Sequence, residues 1–227
     1  MEFMFDTADL KLIRRYEDMI PYTGITTNPA LIRKAGIRTG LFDALREIHR
    51  CVSSGKSLHI QVVSHDSREM IREAMYIRKQ VGEDVCIKVP VTPDGMTAMK
   101  YLKTQGVRLT ATTVVTPVQA MLALELEPDF IAPYYTQMCG LGTDGAEVIR
   151  LLAETIERKK LRTRVLAANI QDTDQLWQVY RAGAHCATLN PRLLEQALQE
   201  PAIPQAVRFF DDAWKEAFGE IRLTDCR

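Results

Sequence analysis

The sequence predicts an α/β fold, a single-domain (β/α)8 TIM barrel spanning residues 1–227, with a C-terminal helix at about 205–219. Three observations predict it. Short β-rich runs alternate with helical stretches eight times along the chain, as parallel βα units closed on themselves would. Nearly every run ends its inward side on or near a polar residue. No Gly-x-Gly-x-x-Gly run supports an open, dinucleotide-binding sheet instead.

The first run, residues 3–6, alternates Phe3 and Phe5 outward with Met4 and Asp6 inward. Asp6-Thr7-Ala8-Asp9 then opens a helical stretch, so Asp6 also reads as an N-cap, and the catalytic and capping roles can be divided between Asp6 and Thr7. The second run, 24–28, puts Gly24, Thr26 and Asn28 on the inner side, and Asn28-Pro29 also reads as a helix start. The third, 58–63, turns His59, Gln61 and Val63 inward. A helix over 66–81 follows, with Met70, Ile71, Ala74, Ile77 and Val81 at helical spacing. The fourth run, 85–89, sends Val85, Ile87 and Val89 to the helices and Cys86 and Lys88 to the axis.

A helix over 95–105 ends at Gly106. The fifth run, 108–114, turns Thr110 and Thr112 inward, and the sixth, 130–135, does so with Phe130, Ala132 and Tyr134. The glycine-rich stretch 139–145 reads as a mobile loop and, alone, as weak evidence for phosphate binding. Helices over 143–159 and 173–182 follow, with Gly183 ending the second. The seventh run, 164–169, and the eighth, 186–190, finish inward on Asn169 and Asn190. Val207, Phe210, Trp214 and Phe218 lie near helical spacing on the final helix, before Gly219.

Lysine and arginine balance aspartate and glutamate at 29 each. That balance predicts neither a nucleic-acid footprint nor a membrane surface. No apolar run approaches the ~20 residues of a membrane-spanning helix, and the acidic N-terminus lacks a signal peptide's charge pattern. Five cysteines without a Cys-x-x-Cys pair read as free thiols in a reducing cytoplasm.

Lys88 carries the chemistry. Burying an unpaired ammonium costs several kcal/mol, roughly, and an amine held out of water sheds its proton and becomes a nucleophile towards carbonyls. It would add to a ketone, lose water and form an iminium, an electron sink that lets a neighbouring carbon–carbon bond break or form. Asp6 could orient the amine or carry its protons. Gln61 could fix a water or hydroxyl, and the Tyr134 phenol could donate a proton. Thr26 and Asn28 face substrate hydroxyls, whereas Thr112 is also an ordinary strand residue. His59 and His65 are too few and too badly spaced for a metal site and read as structural.

These residues resemble the transaldolase-like family, most closely its fructose-6-phosphate aldolase branch. The likeness runs from Met1 to about Gly219 and rests on Phe5-Asp6-Thr7-Ala8, Gly24-Ile25-Thr26-Thr27-Asn28-Pro29, Lys88-Val89-Pro90-Val91-Thr92 with Gly95, Ile131-Ala132-Pro133-Tyr134 and Val165-Leu166-Ala167-Ala168. It implies a metal-free, cofactor-free Schiff-base mechanism on Lys88, with Asp6 as acid/base partner and Thr26, Asn28 and Thr112 as hydroxyl and water ligands. Tyr134 and Gln61 match the aldolase branch, where transaldolases carry phenylalanine and glutamate. The resemblance also implies a C-terminal helix docked on a neighbouring subunit, in rings of five paired into decamers.

The chain departs from the family where the family holds a substrate phosphate. An arginine, a serine and a basic residue there are replaced by Gln137, Asn169 and Gln171. An amide cannot match a bidentate, charge-assisted Arg–phosphate pair, so the expected acceptor is an aldehyde without the usual phosphate contacts. Arg33 and Lys34 could supply another cation, although a solvated helix face explains them equally. The expected partners are small ketone and aldehyde or sugar substrates. Two rivals stand beside the aldolase reading: a transaldolase moving a dihydroxyacetone unit between sugars, and a non-catalytic oligomeric sugar-binding protein. A metal-dependent isomerase barrel lacks its ligand set here.

Overall fold

A computed structural model describes residues 1–52 and 55–226. The chain forms two compact units, Met1–Pro191 and Arg192–Arg227. In the first, among the described residues, eight strands run in order around a closed parallel barrel. They are β1 (Glu2–Asp6), β2 (Gly24–Thr26), β3 (Ser57–Gln61), β4 (Cys86–Pro90), β5 (Leu109–Val114), β6 (Phe130–Pro133), β7 (Arg164–Ala167) and β8 (Cys186–Leu189). The ring closes where β1 pairs with β8, from Glu2 opposite Cys186 to Phe5 opposite Leu189.

The surrounding helices are α1 (Leu10–Tyr16), α2 (Pro29–Lys34), α3 (Leu41–Arg50), α4 (Ser67–Val81), α5 (Pro93–Thr104), α6 (Pro117–Leu124), α7 (Tyr135–Gly140), α8 (Gly145–Lys159) and α9 (Thr173–Arg181). In sequence, α10 (Pro191–Leu198) and α11 (Ala202–Phe218) follow. The runs become strands because both faces are buried, as parallel sheets require. Phe5, Ile25, Leu58, Ile60, Ile87, Val89 and Ile131 are all buried. Inside the barrel Met4, Cys86, Phe130, Leu166 and Cys186 form an apolar cluster. Below it the Arg164 guanidinium pairs with Glu2 at 2.7 Å and lies over the Phe130 ring.

Strand-to-helix turns are fixed by short polar caps. Asp66, Thr92, Thr116, Asp144 and Asp172 each accept a backbone N–H at the start of the helix that follows. Gly95 is needed on steric grounds, since a Cβ there would lie 1.9 Å from the Pro90 carbonyl oxygen.

Four details differ from the sequence reading. The cap of α1 is Asp9, whose carboxylate takes the N–H groups of Lys11 and Leu12, so Asp6 is not spent on capping. Stretch 139–145 is no loose loop, because α7 runs through Gly140 and Asp144 caps α8. The third strand stops at Gln61, and Val63 is exposed. On β7 it is Leu166 that joins the interior cluster, so counting back by two from Asn169 gives the wrong phase. Asn169 lies past the strand in a left-handed conformation, φ 55°, which takes it out of the alternation.

Candidate active site

The site is built at the carboxyl ends of the strands, above a polar middle layer. There His59 is fully buried between the Ser57 hydroxyl and the Thr110 hydroxyl, each at 2.8 Å. Burial, the nearby Lys88 charge and Arg108 hold its imidazole well below the usual histidine range, so the ring is neutral. His59 is structural, as its isolation in the sequence implied. No group of three His, Cys, Asp or Glu side chains among the described residues could hold a metal ion.

Lys88 stands on β4, only 4% exposed. It makes no hydrogen bond or ion pair among the described residues. In register its neighbours are Gln61 on β3 and Thr110 on β5. The Gln61 side-chain oxygen is buried and accepts no hydrogen bond from the described residues. Leaving such an acceptor empty costs about 1–3 kcal/mol. The two neighbours thus present an amine and an open acceptor side by side.

Asp6 ends β1 within electrostatic reach of Lys88. Desolvation pushes its carboxyl above the usual range, against the pull of the Lys88 charge, the Thr26 hydrogen bond and the Lys34 charge. A carboxyl raised in this way is better matched to moving protons near neutral pH. The Thr26 hydroxyl donates to Asp6 at 2.6 Å and lies 2.6 Å from the Thr188 hydroxyl. With Thr26 donating to a carboxylate, Thr188 must donate to Thr26, giving a buried relay across β8, β2 and β1. The sequence reading missed Thr188, although it lies between Cys186 and Asn190 on the inward side of β8 and could have been found by the same alternation.

Across the mouth the Thr112 hydroxyl lies 3.2 Å from the Tyr134 hydroxyl. They come from neighbouring strands whose register shifts at a bulge between Ala111 and Val114, with Thr113 left-handed at φ 59°. Tyr134 lies one residue past β6 and bridges Ala168. Asn28 is divided between its two readings. Its oxygen caps α2 by accepting the Leu31 N–H at 3.0 Å, which leaves the amide NH2 for a ligand.

Gln137, Asn169 and Gln171 come together as a chain of carboxamides. Gln171 donates to the Asn169 side-chain oxygen at 2.7 Å, and Asn169 donates to the Gln137 oxygen at 2.7 Å. The Thr136 hydroxyl lies 2.6 Å from the Asn169 carbonyl and 2.9 Å from the Gln175 side-chain oxygen, which also accepts the Gln171 backbone N–H. The chain contains no cation. Its free ends are the NH2 of Gln137 and the oxygen of Gln171.

The sequence family described as transaldolase/fructose-6-phosphate aldolase matches residues 3–222. A protein of Streptococcus pneumoniae (strain ATCC 700669 / Spain 23F-1), named "Probable fructose-6-phosphate aldolase", is 38% identical over 214 residues, covering 94% of this chain and 96% of its own.

Proposed function

The chain belongs to the transaldolase/fructose-6-phosphate aldolase family, and we propose that it is a Schiff-base aldolase joining a dihydroxyacetone-like ketone to an aldehyde, or running the reverse. The observation that carries this reading is Lys88, a buried amine with no hydrogen bond or ion pair among the described residues, beside the empty Gln61 acceptor.

The Lys88 amine adds to the ketone carbonyl, and the carbinolamine loses its hydroxyl as water to leave an iminium. A base removes a proton from the adjacent carbon, giving an enamine. The enamine carbon bonds to the aldehyde carbon, the new alkoxide takes a proton, and water hydrolyses the iminium to free the product and the amine. Asp6, backed by Thr26, orients the amine and exchanges its protons. Tyr134, hydrogen-bonded to Thr112, serves the carbinolamine and the alkoxide. Gln61 holds the water that leaves and returns, and the Asn28 amide reads donor hydroxyls, whereas Thr26, fully buried and bonded to Asp6 and Thr188, acts through Asp6.

The acceptor is an uncharged hydroxyaldehyde. A carboxamide chain of Gln137, Asn169 and Gln171 offers one donor end and one acceptor end, which suits hydroxyl groups; it offers a phosphate no countercharge. Oligomerisation through the second unit fits the same reading, because Ile203, Val207, Phe209, Phe210 and Phe218 of α11 are exposed. Rings of five or ten, the family's arrangement, would appear directly in light scattering. All five cysteines are free, which supports a reducing cytoplasm. No helix among the described residues is long and apolar enough to cross a membrane.

The test is borohydride reduction with dihydroxyacetone, followed by intact mass and peptide mapping. A reduced adduct on Lys88 is expected. Absence of any adduct, with hydroxyacetone and fructose equally silent, would overturn the mechanism in favour of a binding protein. Strong competition by inorganic phosphate against fructose 6-phosphate as a good substrate would overturn the uncharged acceptor.

A further inference from the structure

Gln119 belongs to none of the groups above, yet its side chain makes more hydrogen bonds than a helix cap needs. It sits at the third position of α6 and forms a capping box with Thr116. Its oxygen accepts the Thr116 N–H at 3.1 Å and the Val115 N–H at 3.0 Å, while its own N–H donates to the Thr116 hydroxyl at 3.2 Å. A glutamate would satisfy all of that. The Gln119 NH2, however, also donates to the Val91 carbonyl at 2.8 Å and to the Thr113 carbonyl at 3.4 Å. Only an amide can accept on one side and donate twice on the other.

The two carbonyls lie at the places where the site is assembled. Val91 is the third residue after Lys88, and its N–H donates to the Thr112 carbonyl at 2.9 Å. Thr113 is the left-handed, β-branched residue of the β5 bulge, a conformation that persists only where its surroundings hold it. On its far side the Val114 carbonyl accepts the Tyr134 N–H at 2.8 Å. One carboxamide therefore ties the end of the Lys88 strand to the bulge that carries Thr112 and faces Tyr134.

We propose that Gln119 is a positioning residue that sets the spacing between the Lys88 amine and the Thr112–Tyr134 hydroxyl pair. It touches neither substrate nor amine. It acts on the proton-transfer steps by holding two strand ends in register, and this rests on Lys88 and Tyr134 working as described above.

The test compares Gln119→Glu, which keeps the capping box and loses both donors, with Thr116→Ala, which loses the cap and keeps the donors. For Gln119→Glu, kcat is expected to fall by about tenfold or more, with KM for the aldehyde within about threefold. The lost activity should return in part as pH falls, because a protonated carboxyl regains one donor. Thr116→Ala should lower the melting temperature and leave kcat unchanged. Amide hydrogen exchange across residues 88–92 and 112–116 should be faster in Gln119→Glu than in the parent, a readout that needs no turnover.

Equal loss of kcat in both variants, or unchanged kcat and exchange in Gln119→Glu, would overturn the assignment. Failure of the aldolase reading looks different, since the parent protein would then give no Lys88 adduct while the exchange comparison would still decide the role of Gln119.

Discussion

The lower and upper halves of the barrel interior are made from the same strands and differ in whether their groups are satisfied. In the lower half Met4, Cys86, Phe130, Leu166 and Cys186 fill the space with apolar atoms, and the Glu2–Arg164 pair lies beneath them. Burial pushes the Cys86 thiol up to about 12 and the Cys186 thiol to about 11, so both stay protonated and behave as small apolar groups. In the upper half, among the described residues, Lys88 makes no hydrogen bond or ion pair, the Gln61 oxygen is empty, and Asp6 is a carboxyl raised by desolvation. Two residues along a strand separate the two regimes, Cys86 from Lys88 and Met4 from Asp6. The lower half stabilises the fold; the upper half holds groups that a purely structural core would not tolerate.

Substitutions should divide along that line. Lys88→Ala should abolish turnover, by more than about 10⁴-fold, while the circular dichroism spectrum stays that of the parent and the melting temperature does not fall. A large loss of stability would place Lys88 with the structural half. Leu166→Ala should behave in the opposite way, costing about 2–5 kcal/mol in denaturant unfolding with activity per folded molecule retained. Tyr134→Phe should lower aldol turnover about 10²-fold with little change in melting temperature. Product analysis with and without an acceptor sugar would show whether the residual activity has moved towards transfer.

The layer between the halves gives the smallest effect, and it depends on pH. His59 is held neutral in the folded chain, whereas the unfolded chain takes up a proton as pH falls through about 6.5. Below that pH the unfolded state binds more protons, so stability should fall with acid by up to about 1.4 kcal/mol per pH unit until the folded ring also titrates. His59→Asn should flatten this limb of the stability profile, and an unchanged acid limb would assign it to other groups.

The barrel and most of its inward residues were legible because period 2 along a buried strand is a strict geometric signal. Cys86, Lys88, Met4, Asp6, Thr26 and Tyr134 all follow from it. The reading failed where the backbone leaves that period. The phase of β7 was misread because Asn169 sits beyond a left-handed turn that nothing in Ala167-Ala168-Asn169 announces. The bulge at Thr113 was invisible for the same reason, since a threonine with positive φ looks like any β-branched residue in a strand. Asp6 reads as a cap in the sequence, which offers two aspartates three apart; only the fold assigns that role to Asp9. The carboxamide chain could be foreseen as a loss of charge, but not as a connected string, because Gln137 comes from α7 and Asn169 and Gln171 from the loop after β7.

The seam at which the ring closes has a consequence for how the protein comes into being. Thr26 shares its hydrogen bonds between Asp6 on one side of that seam and Thr188 on the other, 162 residues away. On the ribosome, synthesised from the amino end, β1 must wait with one edge unpaired until β8 has emerged. Without β8 the ring around Lys88 is not closed. The last strand therefore completes three things at once: the ring, the Asp6 relay and the enclosure of the Lys88 amine.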